Sequence, residues 1–261
     1  PMGTFLFDKI VFGPVKSRRL GISLGINLLP CDRKLCNFNC IYCECGWSPK
    51  PGSETGILPT RSEVYKALSS RLKEMKVKNQ KADVITFAGN GEPTLHPEFN
   101  QIIDDSIALR DMFCPDTRIA VLSNSSTLNN PRVKTALMKV DMNILKLDSA
   151  FDRTIQLHNQ PTINISAKEL IKNLASFEGH VIIQTLFLKG IYNGKIIDNT
   201  TLEEIENWLN ALVEIKPEEV MIYTIDRDTP EGGILEKMPE SDLKRIAARV
   251  EELGIKTRIS D

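Results

Sequence analysis

The residues of this chain best suited to chemistry are its cysteines, five of which lie within fifteen residues. A disulfide framework would distribute its cysteines over a small secreted chain. This chain has 261 residues and shows no recognisable signal peptide, so we expect a reducing, cytoplasmic location. In that compartment a dense group of thiols is more often a metal site. The group comprises Cys31, Cys36, Cys40, Cys43 and Cys45.

Three of these thiols have a spacing that can converge on one inorganic centre. Cys36, Cys40 and Cys43 form a CxxxCxxC pattern, and soft thiolates select zinc or iron–sulfur. A closed zinc site and an ordinary electron-transfer cluster both need four protein ligands. Three thiolates leave one position open. The alternative is a zinc knuckle with Cys31 or Cys45 as its fourth ligand.

A second pattern follows the second predicted strand, in the segment Gly89-Asn90-Gly91-Glu92. Its glycines would let a ligand approach the backbone closely, and Glu92 offers a carboxylate to a cation. A glycine-rich turn ended by Pro93 is the plain structural alternative.

Polar residues lie at the ends of later predicted strands, where parallel α/β proteins build their sites. Lys146 and Asp148 are two residues apart in one strand, so both can face the same side. Each of these residues has an alternative as a capping or turn residue. The residues proposed on this basis are Asn124, Lys146, Asp148, Gln184 and Tyr223.

Two further residues are candidate substrate contacts. Arg227 lies in a polar loop after the sixth predicted strand, and it could bind a carboxylate or phosphate with two hydrogen bonds. It could equally pair with Asp228 and order the loop. His158 follows the fourth predicted strand, although a lone histidine is more often structural.

The elements that must position these residues alternate between strands and helices. Near-continuous apolar strands predict a parallel sheet with right-handed crossovers. Periodicity alone leaves an open doubly wound sheet and an incomplete (β/α) barrel both possible. We expect an N-terminal extension over residues 1–20 and a single domain over 21–261. The predicted strands are 22–29, 83–88, 118–123, 142–148, 180–188 and 219–225, with a possible short strand at 255–259.

The helices have recognisable starts and ends. Capping boxes are predicted where a Ser or Thr precedes a Glu by three residues, and Pro97 is predicted as a first helical residue. The last helix is expected from about Pro239 to Leu253, with Gly254 as its stop. The predicted capping boxes are Thr60 with Glu63, Ser166 with Glu169, and Thr201 with Glu204.

Composition limits the partners. The formal net charge is −1, whereas a dedicated nucleic-acid binder usually has a clear basic excess. No apolar run approaches the roughly 20 residues that span a bilayer, so we expect no membrane partner. The oligomeric state is left open.

The cysteine loop and the GNGEP segment together resemble the radical S-adenosylmethionine superfamily. The resemblance implies an incomplete (β/α)6 TIM-like barrel and a [4Fe–4S] cluster held by Cys36, Cys40 and Cys43. It implies that the open iron chelates S-adenosylmethionine and that an electron donor such as flavodoxin or ferredoxin reduces the cluster. Cleavage then yields a 5′-deoxyadenosyl radical that abstracts hydrogen from a substrate. The implied cofactor-binding residues are Tyr42, Gly89, Asn90, Gly91, Glu92, Asn124, Asp148, Gln184 and Tyr223, with Asn90 where the commonest form has glycine.

The segments FGPVKSRRLGISLGINLLP, GNGEPTLHP and YTIDRDTPE are similar to a narrower group, the wyosine-synthesising tRNA enzymes. The sequence lacks the additional N-terminal cysteine set of those enzymes. We therefore expect a radical S-adenosylmethionine enzyme whose substrate is unassigned among small molecules, proteins and tRNA. The alternatives are a tRNA base-modifying enzyme, an activase that installs a radical on a partner protein, and a zinc-binding interaction module.

Overall fold

The fold is built on a long, mostly parallel sheet covered by helices. The computed structural model describes residues 5–50, 56–226 and 235–260. The strands in chain order are β1 (Val11–Ser17), β2 (Gly21–Ile26), β3 (Val84–Phe87), β4 (Arg118–Ser123), β5 (Met142–Lys146), β6 (Ile182–Leu186), β7 (Leu188–Tyr192), β8 (Lys195–Asp198), β9 (Glu219–Tyr223), β10 (Leu235–Lys237) and β11 (Lys256–Ser260).

Seven helices and one short 3₁₀ helix connect the strands in the described residues. The 3₁₀ helix, Pro93–Leu95, directly follows Glu92. The α-helices are α1 (Arg61–Val77), α2 (Phe99–Phe113), α3 (Pro131–Leu137), α4 (Asp152–His158), α5 (Ala167–Ala175), α6 (Leu202–Ile215) and α7 (Glu240–Glu251).

The large sheet has the strand order β1-β2-β3-β4-β5-β6-β9-β11. Every neighbouring pair from β2 to β11 is parallel, and only β1 runs antiparallel, against β2. The sheet curls into a half-barrel, as predicted. The possible short strand near the C-terminal end exists as β11, which adds a seventh parallel strand to the six predicted.

Apolar side chains pack on both faces of the sheet, which explains why its strands are almost continuously apolar. The side of the sheet that faces the interior of the half-barrel holds a compact apolar cluster, and a larger apolar core lies between the sheet and the helices. Toward the carboxyl ends of the strands, the interior side carries polar residues. The inner cluster comprises Leu20, Val84, Ala120, Met142, Ile144, Ile182 and Met221.

Three predicted boundaries were wrong. Residues 11–17 of the predicted extension form an edge strand of the same sheet, and Gly13 and Pro14 had hidden its strand pattern because proline is confined to sheet edges and irregular positions. The predicted strand 180–188 divides at Phe187, after which β7 enters a separate antiparallel sheet with the order β10-β7-β8. Helix α2 begins at Phe99, two residues after Pro97.

The predicted helix caps are largely confirmed. The Thr60 side chain accepts a hydrogen bond from the Glu63 amide, and the Glu63 carboxylate accepts one from the Thr60 amide, which completes the capping box. Ser166 and Thr201 likewise cap α5 and α6. Gly254 adopts a left-handed conformation with φ +77° just after α7, as a helix stop requires.

Helix α6 ends at Lys216, a lysine in the left-handed conformation with φ 55° and ψ 54°. Because a Cβ disfavours this conformation, we expect Lys216→Gly to raise the free energy of unfolding by about 0.5–1 kcal/mol. The matched control is Lys172→Gly inside α5, which we expect to lower it by about 1 kcal/mol. Urea unfolding of both variants measures the difference, and a loss of stability in Lys216→Gly would contradict the prediction.

Candidate functional site

The cysteine loop lies between β2 and α1 and is anchored to the Gly89–Glu92 segment by backbone pairing. The Leu35 amide donates to the Asn90 carbonyl at 2.8 Å, and the Glu92 amide donates to the Leu35 carbonyl at 3.0 Å. This is a parallel bridge between Leu35 and Gly91. The two motifs that the sequence presents separately therefore form one structure at the ends of β2 and β3.

The glycines of this segment allow the chain to approach itself. Gly91 has φ +135°, and a Cβ there would lie 1.9 Å from the Leu35 carbonyl oxygen. A Cβ on Gly89 would lie 2.2 Å from the Asn27 side-chain oxygen. Sequence analysis explained these glycines by the close approach of a ligand. In the structure, a side chain at either position would clash with another part of the protein.

Asn90, which is predicted as a cofactor-binding residue, has a side chain that makes its hydrogen bonds within the protein, and its role toward a cofactor stays a prediction. It is fully buried. Its oxygen accepts from the Phe7 amide at 2.8 Å, and its nitrogen donates to the carbonyls of Phe7 at 2.9 Å and Pro30 at 2.8 Å. These contacts join the Asn90 side chain to the N-terminal segment and to Pro30, which precedes the cysteine loop.

The three cysteines of the motif are free thiols, and each sulfur is close to polar groups. The Asn124 amide nitrogen lies 3.4 Å from the Cys36 sulfur, and the Asn159 amide nitrogen lies 3.4 Å from the Cys40 sulfur. Burial raises the pKa of the Cys36 thiol to about 12 and also raises the pKa of Cys40. A hydrogen bond from Cys45 lowers the pKa of Cys43 to about 5.

Lys34, which sequence reasoning missed, is buried beneath the same loop with only 2% of its surface exposed. Its ammonium donates to the Gly46 carbonyl at 2.9 Å. Burial alone would lower the pKa of Lys34, but the nearby thiols of Cys43, Cys36 and Cys40 raise it above its ordinary value. A lysine two residues before the first cysteine was the available signal.

Glu92 is a buried carboxylate held entirely by neutral donors. One oxygen accepts from the Thr94 backbone amide at 3.1 Å and from the Thr94 hydroxyl at 2.6 Å. The other oxygen accepts from the Asn124 backbone amide at 2.6 Å. Burial raises the pKa of Glu92. Among the described residues no lysine or arginine forms an ion pair with it.

Asp148 joins the cysteine loop to the end of β5. It accepts from the Tyr42 hydroxyl, from the Asn159 amide at 2.7 Å and from the Leu186 backbone amide at 3.0 Å. Lys146 lies 3.4 Å from the same carboxylate, so the two residues face the same side, as predicted. Burial and the Asp148 charge raise the pKa of Tyr42 well above its usual value.

Gln184 and Tyr223 lie on the inner face of the sheet beside Lys146. The Lys146 ammonium donates to the Tyr223 hydroxyl at 3.1 Å. Arg19, from the turn between β1 and β2, donates to the Gln184 oxygen at 3.0 Å and lies 4.5 Å from the centre of the Tyr223 ring. Arg19 is not among the predicted site residues, because its approach to β6 and β9 depends on closure of the half-barrel.

The remaining predicted residues are not brought into this group. His158 is 1% exposed, and burial lowers its pKa to about 4. Its backbone carbonyl accepts from the Ile41 amide of the cysteine loop at 2.9 Å, and its predicted substrate contact stays a prediction. Arg227 lies outside the described residues. Cys114 lies at the end of α2, and Cys31 is exposed.

A family model that matches most of the chain identifies the family of this protein. The radical SAM superfamily model covers residues 34–198, which include the cysteine loop, Glu92, Asn124, Asp148 and Gln184. The chain belongs to the radical SAM superfamily. No helix among the described residues is long and apolar enough to cross a membrane.

Two curated relatives match over most of the chain. A UPF0026 protein of Methanocaldococcus jannaschii is 30% identical over 249 residues, which cover 94% of this chain and 72% of that protein. A Brachyspira hyodysenteriae protein named GTPase Obg is 32% identical over 230 residues, which cover 86% of this chain. The match spans only 31% of the Brachyspira protein's length.

Solved structures share the fold of this radical SAM chain. Streptococcus suis SuiB bound to S-adenosylmethionine superimposes with a TM-score of 0.63 at 14% identity, covering 91% of this chain and 50% of SuiB. An archaeal TYW1 superimposes with a TM-score of 0.52 at 11% identity, covering 88% of this chain and 71% of TYW1. At these identities the likeness concerns the half-barrel fold alone.

The contacts of Asn90 predict that its side chain stabilises the N-terminal segment. We expect Asn90→Ala to lower the free energy of unfolding by about 2 kcal/mol, because it leaves buried backbone groups of Phe7 and Pro30 unpaired. Hydrogen exchange should also become faster at the Phe7 amide. The control is Asn207→Ala on α6, an exposed side chain that donates to the Glu203 carbonyl. Unchanged exchange at Phe7 would contradict the assigned role.

Proposed function

We propose that this chain is a radical S-adenosylmethionine enzyme in which Cys36, Cys40 and Cys43 hold a [4Fe–4S] cluster. When bound, such a cluster reductively cleaves S-adenosylmethionine to a 5′-deoxyadenosyl radical, which abstracts hydrogen from the substrate. The observation that carries the proposal is the backbone bridge between Leu35 and Gly91. It brings the three-thiol loop and the Glu92 carboxylate to one end of the half-barrel.

The donor set fits the cluster. The three thiols are free, and amide nitrogens of Asn124 and Asn159 lie 3.4 Å from two of the sulfurs. Hydrogen bonds to sulfur are one of the ways in which proteins tune iron–sulfur centres. A zinc knuckle with Cys31 or Cys45 as its fourth ligand stays the alternative.

Glu92 is positioned to bind the amino group of S-adenosylmethionine. A buried carboxylate without a cationic partner is costly, and an ammonium from the ligand would supply that partner. The hydrogen bonds from Thr94 and Asn124 fix the carboxylate in place before the ligand arrives. The backbone at Gly89 and Gly91 borders the same position. We infer that this segment orients the methionine part of the ligand.

The network around Asp148 would support the remainder of the site. Tyr42 and Asn159 connect Asp148 to the cysteine loop, while Lys146 connects it to Tyr223. These contacts hold the cysteine loop against the ends of β5 and β9. We propose that Gln184 and Tyr223 form the wall of the cavity that faces the nucleoside and the substrate.

The substrate class stays open between small molecule, protein and tRNA. A flavodoxin or ferredoxin is the proposed electron donor. The tRNA alternative is still supported by the sequence similarity to wyosine-synthesising enzymes, and the activase alternative by the compact chain. No contact among the described residues favours either of them, so both stay predictions.

The first test is cleavage of S-adenosylmethionine by the protein purified without oxygen, reconstituted with iron and sulfide, and reduced with dithionite. We expect 5′-deoxyadenosine from the unchanged chain and only background amounts from Cys36→Ser, Cys40→Ser and Cys43→Ser. Cys31→Ser and Cys114→Ser are the matched controls, and they should keep full activity. Zinc uptake with no cluster absorption and no nucleoside would refute the proposal.

The second test concerns Glu92 and binding of S-adenosylmethionine to the reconstituted protein by calorimetry. We expect Glu92→Gln to weaken binding about 10- to 100-fold, because it removes a charge-assisted hydrogen bond of about 1.5–3 kcal/mol. Affinity for the unchanged protein should fall as the pH drops through the pKa of Glu92, since protonation removes the same charge. Burial raises that pKa, so the fall should begin above the range of an exposed glutamate.

The control for this second test is Glu204→Gln. Glu204 is also buried, and its carboxylate accepts hydrogen bonds from the hydroxyls of Ser149 and Thr154 rather than facing the cysteine loop. Its substitution should leave affinity unchanged. Equal affinity of Glu92→Gln and the unchanged protein would contradict the assigned role of Glu92.

A further inference from the structure

Lys34 is a buried cation that the proposed cleavage chemistry does not yet use. Its ammonium donates to the Gly46 carbonyl at 2.9 Å, and no carboxylate among the described residues lies within ion-pair distance of it. Burying an unpaired ammonium is expensive, so such groups are normally paired. A carbonyl oxygen compensates only part of that cost, which points to a further negative partner.

The negative partner available to Lys34 is the set of three thiols. The Gly46 carbonyl that accepts from Lys34 belongs to the turn that begins at Cys43, because the Gly46 amide donates to the Cys43 carbonyl at 3.0 Å. The thiols of Cys43, Cys36 and Cys40 accordingly raise the pKa of Lys34. Lys146 also acts on Cys40, but it lies 3.4 Å from Asp148 and has its counter-charge there. Among the described residues, Lys34 has no such carboxylate.

A cation in this position would interact electrostatically with a cluster bound by the thiolates. Adding an electron to a buried cluster adds one negative charge, and a fixed positive charge nearby stabilises the reduced form relative to the oxidised form. The effect is larger in a low-dielectric interior than in water. Net charge and hydrogen bonding are among the factors that set iron–sulfur potentials.

We propose that Lys34 is the counter-charge of the iron–sulfur cluster and raises its reduction potential, so that a donor of the flavodoxin or ferredoxin class can reduce it. The inference rests on the proposed function, because it needs a cluster on the three cysteines. Lys34 acts through the cluster and does not touch the substrate, so it is a positioning residue. One electron passes from the donor to the cluster, and Lys34 keeps its proton.

A purely structural role for Lys34 would be to fasten the turn at Gly46. Lys34→Arg keeps the positive charge and a donor for the Gly46 carbonyl. Lys34→Gln keeps a donor without the charge, and Lys34→Met removes both. Comparison of these variants separates charge from hydrogen bonding. Lys50→Met is the matched control, since Lys50 is an exposed lysine of the same loop.

The experiment is a redox titration of the reconstituted protein, followed by electron paramagnetic resonance, with iron and sulfide content measured in parallel. We expect Lys34→Gln and Lys34→Met to shift the potential downward by about 59 mV, which is a tenfold lower reduced-to-oxidised ratio for one electron. Lys34→Arg and Lys50→Met should stay near the unchanged protein. Equal potentials in Lys34→Met and the unchanged protein would overturn the proposal.

Variants that assemble no cluster are also informative. If the neutral variants fold by circular dichroism but hold no cluster while Lys34→Arg holds one, the counter-charge role is supported. If Lys34→Arg fails together with the neutral variants, the role of Lys34 is structural and the proposal is wrong. If the unchanged protein itself takes up no cluster, the proposed function is wrong, and the role of Lys34, which depends on it, is wrong as well.

Discussion

The close backbone approach between Leu35 and Gly91 is the contact on which the rest of the site depends. Side-chain volume alone forbids this approach at any residue but glycine, because a Cβ would lie 1.9 Å from the Leu35 oxygen. The contact joins the start of the cysteine loop to the end of β3. It thereby sets where the thiols lie relative to Glu92, and Asn27 and Asn90 extend the same junction to the N-terminal segment.

Electrostatic balance distinguishes two parts of the site. Around Asp148 the charges are matched within the protein, since Lys146, Tyr42 and Asn159 all contact the carboxylate. At the cysteine loop they are not, because Glu92 has neutral donors only and Lys34 has a carbonyl. Unbalanced buried charges are costly and are a common property of functional sites. Glu92 and Lys34 are therefore the residues for which we propose partners from outside the protein chain, a ligand for Glu92 and a cluster for Lys34.

Membership of the radical SAM superfamily supports the proposed cleavage of S-adenosylmethionine more directly than it supports any one substrate. The family match ends at residue 198, before β9. The three-stranded sheet of β7, β8 and β10 is an addition at the side of the half-barrel. Such additions vary between members of one fold, since function resides in the sites grafted onto it.

The sequence by itself predicted the three-cysteine loop, the Glu92 segment and six of the seven parallel strands, with the seventh as a possibility, because these depend on local spacing and on continuous apolar runs. It also predicted that Lys146 and Asp148 share a face, since strand periodicity is local. It could not reveal the partners of the Asn90 side chain or recognise Lys34, Arg19 and Asn159. Most of those partners are distant in sequence, such as Gly46, which is 12 residues from Lys34, and Gln184, which is 165 residues from Arg19. Only the closure of the half-barrel brings such partners together, and that closure follows from tertiary packing.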